Sequence, residues 1–429
     1  MRINRWALEA QVSFFMDFVN QIKESPIEAA KQQIGPVLRN SLQYYGKSYI
    51  EGRPELKDLF SRMEKFIDDK SATVDDFCEL TIEKNQLEYL PLIQDTCNFI
   101  EPYLEKQDSP FNISFKKLKS RAKDQGIDTS NNNWLFGYLN QVPIITMYIL
   151  SINAAIRFQG EHPDCIVIND FNNKFIRSYL SPLIINSAFP DKKPENFFAY
   201  SEDFRTNPEA KTSFAPPYDN VSISANIIEL CKFWAGQPLK VYAVPAELLN
   251  VPNEQLKRFT HEFAISVSDF IFFHELSHIL LGHQPRNASK SDEVNADILA
   301  LNILTDSCLD YNEHLLKTKE HDLGLGFTFR TIGPPILMYI FSIIDVLTKS
   351  ENILHPYAPL RNFYLKFTNH MKFMKPTMLC HTYKCLWEYY EGIFESALEK
   401  LGVTMDVIRE KNDDIELKMT TAKIREDLI

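Results

Sequence analysis

His274-Glu275-Leu276-Ser277-His278 combines residue types and a spacing that could do hydrolytic chemistry. Two histidines four apart on a helix stand one above the other on one face, where two imidazoles can share a metal ion. The Glu between them lies beside that metal, where it could take a proton from an activated water. The pattern is short, and two helix histidines with an incidental Glu would look the same. The setting favours the metal. Val267, Ile271, His274, His278 and Leu281 share one stripe of a helical wheel, so the histidines sit on an apolar face. Two unligated imidazoles there would each need hydrogen-bond partners, and one metal ion satisfies both.

A zinc site needs a third protein ligand and an open fourth position. After a loop comes Ser291-Asp292-Glu293-Val294-Asn295-Ala296-Asp297, followed by an apolar run to Leu304. This segment opens a second helix, with Ser289 or Ser291 as cap and acids in its first turn. Glu293 and Asp297 share a face, and Ala296 and Ala300 are small enough to let the two helices approach. Glu293 is the expected third ligand, with Asp297 as a carboxylate behind a ligand imidazole. Taken alone, the pair could equally be helix-start acids. His283 competes as a ligand, but a metzincin site requires Gly three residues and His six residues after the second motif His. Here Gly282 and His283 stand four and five residues on. His283 is therefore expected to be a cation at the helix C-terminus or a loop residue.

His355-Pro356-Tyr357-Ala358-Pro359-Leu360-Arg361 forms a third constellation, a rigid approach to a new helix near Arg361. It could be a turn with an incidental histidine. In a functional reading His355 donates to the oxyanion of a tetrahedral intermediate, and Arg361 braces a carboxylate such as Asp297.

Taken in order, HELSH, EVNAD and HPYAPLR resemble the gluzincin peptidases of the HtpX and CAAX-prenyl-peptidase kind. The likeness is closer to soluble phage-exclusion peptidases of the Lit type, which share the Ser before the second motif His, a further His after it, ExxAD and the HP-to-Arg spacing. ImmA/IrrE-type peptidases share the first two motifs and match the third less well. The resemblance implies one Zn2+ held by His274, His278 and Glu293, with Glu275 as general base and His355 and Arg361 assisting the transition state. It spans about residues 219–364 and says nothing of residues 1–200. It also implies a zincin-like catalytic domain in which an exposed strand aligns a peptide substrate. Val221-Ser222-Ile223-Ser224 alternates like that strand, with Lys240 to Val244 as a second.

The elements that must position these residues read as mainly α (α+β). Thirteen Gly against 31 Phe favour helices with large aromatic cores. The motif helix is expected from about Glu254 to Leu281, capped by Asn253 and stopped by Gly282 and Pro285. Residues 1–133 read as a helical N-terminal region, ending in a polar linker from Lys106 to Asn133. Residues 134–214 form a helical and irregular connecting region, with helix from Trp134 to Ile156 and a short strand at Cys165 to Ile168. Residues 215–404 form the catalytic domain with its small sheet, and 405–429 a charged, helical tail. Ile332 to Val346 reads as a buried helix started by Gly333-Pro334-Pro335.

A net charge of −11 argues against a nucleic-acid surface as the main function. The basic cluster of Lys116, Lys117, Lys119, Arg121 and Lys123 reads as a solvated face. Seven Cys without a C-x-x-C pair fit reduced thiols and a cytoplasmic location. Cys380, His381 and Cys385 are a weak candidate for a second metal site. Glu9, Gln11 and Asp17 interrupt any signal-peptide core, and no membrane span is expected. The expected activity is a zinc metallopeptidase acting on a protein or peptide; oligomeric state is unread. Two rivals stand: a non-catalytic metal-binding sensor or scaffold, and a zinc hydrolase acting on something other than peptides.

Overall fold

A computed structural model describes residues 5–45, 50–104, 112–131, 133–148, 155–159, 162–188, 220–235, 246–251, 253–283, 290–318, 323–348 and 378–403. The described residues are mainly helical, as the composition indicates, and include a three-stranded sheet. It divides into two compact units, one of residues 1–101, 116–149 and 153–171, the other of 102–115, 150–152 and 172–429.

In the first unit, α1 (Arg5–Ile22), α2 (Pro26–Tyr45), α3 (Pro54–Asp68) and α4 (Val74–Leu104) close over an aromatic core. Phe15, Phe60, Phe66 and Phe77 lie in it, with the Phe15 and Phe77 rings 4.5 Å apart. Helix α5 (Asn112–Asp124) falls inside the stretch expected to be a linker. Phe115, Leu118 and Ala122 are buried on it, while Lys116, Lys117, Lys119 and Lys123 are exposed. Three apolar residues at helical spacing are enough to dock a highly charged helix.

After α6 (Trp134–Leu139) the chain leaves the expected helix and forms β1 (Ile144–Met147). β2 (Ala155–Gln159) and β3 (His162–Asn169) complete a sheet of order β1-β3-β2, parallel between β1 and β3 and antiparallel between β2 and β3. All four β1 residues are buried, Thr146 among them, so no alternation marks the strand; a short buried run is compatible with either structure. The free edge of β1 is covered. Gln11 of α1 donates to the Thr146 carbonyl (2.9 Å) and accepts from the Thr146 N–H (2.7 Å), replacing a strand neighbour. Asn85 of α4 donates to the Ile144 carbonyl at 3.1 Å.

The second unit opens with α7 (Asp170–Phe175), a π-helical turn over Ile176–Leu180, and α8 (Ser181–Ala188). Then come α9 (Asn220–Trp234), α10 (Ala246–Leu249), α11 (Glu254–Leu281), α12 (Lys290–Thr318), α13 (Leu323–Thr348) and α14 (Met378–Lys400). Its described residues contain no strand. Val221 to Ser224 opens α9. Ile223, Ile227, Leu230, Cys231 and Trp234 are buried at helical spacing, which decides the structure against a four-residue alternation. Lys240 to Val244 lies outside the described residues.

Helix α11 is the central element and packs against α8, α12 and α13. From Phe270 to Leu280 every residue but Ile271 is buried, so burial extends beyond the expected stripe to nearly all sides of the helix. Helix α13 starts ten residues before its expected Gly-Pro-Pro origin and runs through Pro334 and Pro335. Pro334 has no N–H, which strips the Arg330 carbonyl of its helical donor. The Ser266 hydroxyl of α11 donates to that carbonyl instead. Gly333 permits the approach: a Cβ there would lie 2.5 Å from Ser266 Oγ and 3.1 Å from Val267 Cγ2. Tyr389 and Tyr390 of α14 donate to the Ser187 and Ile184 carbonyls of α8, both at 2.7 Å. Among the described residues two segments, Leu256–Leu281 and Phe329–Thr348, are long and apolar enough to cross a membrane, and most of each is buried.

Candidate metal centre

Helix α11 starts and stops on local signals. The Asn253 side-chain oxygen accepts from the Leu256 N–H at 3.3 Å, an N-cap to the third helical residue. At the other end Gly282 takes φ 69°. Its N–H donates to the Ile279 carbonyl (3.1 Å), and the His283 N–H donates to the His278 carbonyl (3.0 Å). This pair of bonds is a Schellman motif, and it turns the first residue beyond the glycine back over the helix's last turn.

The turn of α11 that ends there carries His274, Glu275 and His278, exposed by only 6%, 7% and 9%. Helix α12 lies alongside and brings in Glu293 and Asp297, at 4% and 0%. Three donor atoms converge. The Nε2 atoms of His274 and His278 are 3.0 Å apart, and Glu293 Oε2 lies 3.4 Å from the first and 3.6 Å from the second. Ligands about 2.0–2.1 Å from a tetrahedral zinc stand roughly 3.3 Å from one another. The triangle therefore has the right size for three corners of such a site, and its two imidazoles and one carboxylate are zinc donors. Asp297 Oδ1 lies 2.8 Å from His274 Nδ1, behind the ring as expected of a carboxylate that fixes ligand tautomer. Ser277, inside the motif, donates to the Phe273 carbonyl at 2.7 Å and leaves no buried hydroxyl unsatisfied.

His283 is a loop residue just past the helix end, one of its two expected settings, and it is not the cation of the other. Its Nδ1 lies 2.9 Å from His278 Nδ1, and its Nε2 lies 3.3 Å from Asp292 Oδ1. Burial, reinforced by the His278 ring, pushes its imidazole down to about 4. It is thus neutral near pH 7 rather than a helix-terminal cation, because desolvation outweighs the attraction of the helix end. Sequence reasoning gave Asp292 no part in the site beyond an acid of the helix start; Gly-His directly after the helix was the available signal. His355 and Arg361 lie outside the described residues, as do Ser289 and the side chains of Ser291, Cys380, His381 and Cys385.

A family model described as Peptidase U49 matches residues 232–365. The matched span includes all three sequence motifs and covers under a third of the 429 residues. No curated protein and no solved structure matches the chain. The match supports a peptidase, hence a hydrolase.

Proposed function

We propose that the chain is a zinc-dependent endopeptidase of gluzincin type, with His274, His278 and Glu293 as metal ligands and Glu275 as general base. The observation that carries this reading is the donor triangle of two imidazoles and one carboxylate, buried on two packed helices with Glu275 in the same turn. A family match to peptidases over the same residues supports it.

When bound, zinc lowers the pKa of water from ~15.7 toward ~7 and polarises a carbonyl. The residues do the rest. Glu275 stays off the metal and removes the proton of the attacking water. It then returns that proton to the leaving amine. Asp297 Oδ1, 2.8 Å from His274 Nδ1, would keep the ring proton on that nitrogen and leave the Nε2 lone pair for the metal. By resemblance of the third motif, His355 and Arg361 would assist the transition state.

The motif likeness to soluble phage-exclusion peptidases extends the proposal to an intracellular protein target and a role in abortive infection. The test expresses wild type and Glu275→Gln and maps new protein N-termini across the host proteome, with zinc measured in both proteins. Cleavage confined to wild type, with equal zinc, is expected. Identical N-termini in both would favour a sensor or scaffold. Loss of zinc in the Gln variant would make Glu275 a ligand rather than a base.

A further inference from the structure

The His278 ring is held from behind, and by a residue that meets the site only because the helix ends where it does. In a Schellman motif the residue just beyond the left-handed glycine packs against the third residue from the helix end, a contact that is ordinarily apolar. Here those two positions are His283 and His278, with ring centroids 5.1 Å apart and planes inclined by 66°.

Proton accounting gives this contact a direction. His278 Nε2 faces His274 Nε2 and Glu293 Oε2, so a metal ligand at this position needs its lone pair on Nε2 and its proton on Nδ1. Nδ1 lies 2.9 Å from His283 Nδ1, which must then be the acceptor. His283 in turn carries its proton on Nε2, the atom 3.3 Å from Asp292 Oδ1. The same geometry removes His283 as a ligand of this centre, because it meets His278 across the ring edge turned away from the donor triangle.

We propose that His283 is a positioning residue, which fixes the tautomer and ring orientation of His278 by accepting its Nδ1–H and is itself held by Asp292. The inference rests on the metal reading above and deepens it. Each ligand imidazole then has its own carboxylate: Asp297 directly behind His274, and Asp292 behind His278 through one intervening imidazole. Both carboxylates come from the first two turns of α12, so the helix that supplies Glu293 also orients both histidines.

The test compares wild type, His283→Phe, His283→Gln and Asp292→Asn in zinc affinity, measured by competition with a chromophoric chelator. Melting of each protein in excess EDTA is the companion readout. Phe keeps the ring and removes the acceptor, and is expected to weaken zinc binding ~10–100-fold, the usual effect of losing a partner of a ligand. Gln keeps an acceptor oxygen and should restore most of that loss. Asp292→Asn should give a smaller loss in the same direction. EDTA melting should be alike in all four, which separates positioning from folding. A Phe variant that binds zinc as tightly as wild type, or a Gln variant as weak as Phe, overturns the inference and leaves the metal reading intact. A wild type that binds no zinc overturns both.

Discussion

Asp297→Asn isolates the link between the buried carboxylate and the centre. Asp297 is fully buried, and its Oδ1 lies 2.8 Å from His274 Nδ1. Hydrogen bonds to a charged group contribute ~1.5–3 kcal/mol, against ~0.5–1.5 for neutral pairs. Asn keeps the shape and an oxygen acceptor but loses the charge, so the difference, about 1–1.5 kcal/mol of metal binding, should disappear. That range corresponds to ~5–12-fold in zinc affinity. The assay is titration of the metal-free protein with zinc in competition with a chelator of known affinity, near pH 7. Because the substitution is isosteric, the metal-free protein should melt within a few degrees of wild type. Unchanged zinc affinity in a well-folded Asn variant would refute the claim that this carboxylate orients His274.

Other consequences follow from the scaffold. Gly333→Ala forces a Cβ to 2.5 Å from Ser266 Oγ, which is already committed to the Arg330 carbonyl. Overpacking at such a crossing costs ~1–3 kcal/mol, so thermal unfolding should begin several degrees lower; an unchanged melt would mean that α11 and α13 do not approach this closely. Burial pushes the Cys78 and Cys97 thiols up to about 12. Their folded values exceed their unfolded ones, so their stabilising contribution is intact below about pH 8.5 and is lost as pH rises toward 12, by up to ~1.4 kcal/mol per pH unit for each thiol. Mass-resolved alkylation at pH 8 should leave Cys78 unmodified and label the half-buried Cys97 slowly in the native chain, and modify both in denaturant. Rapid native labelling of Cys78 would contradict its burial.

What was legible in the sequence was local. Asn253 and Gly282 mark the ends of α11 through hydrogen bonds made within a few residues, so the helix falls where its caps put it. Glu293 and Asp297 were readable because helix periodicity alone sets them on one face. What failed depended on distant partners. Pro334 looks like a helix start, yet Ser266 from another helix replaces the donor that Pro lacks, and the helix continues. Ile144 to Met147 looks like more helix because all four residues are buried, and only pairing with Ile166 to Asn169 reveals a strand. Val221 to Ser224 alternates over too short a window to outweigh the helical burial of Ile223, Ile227 and Leu230. His283 was read by its place at a helix end, whereas its behaviour is set by burial against His278.

The central claim is that His274, His278 and Glu293 hold a metal ion, and elemental analysis of purified wild type beside His274→Ala tests it most directly. About one equivalent of zinc in wild type and close to none in the variant is the predicted result, since a tetrahedral site that loses one of three protein ligands loses most of its affinity. Equal metal content in the two proteins would contradict the account.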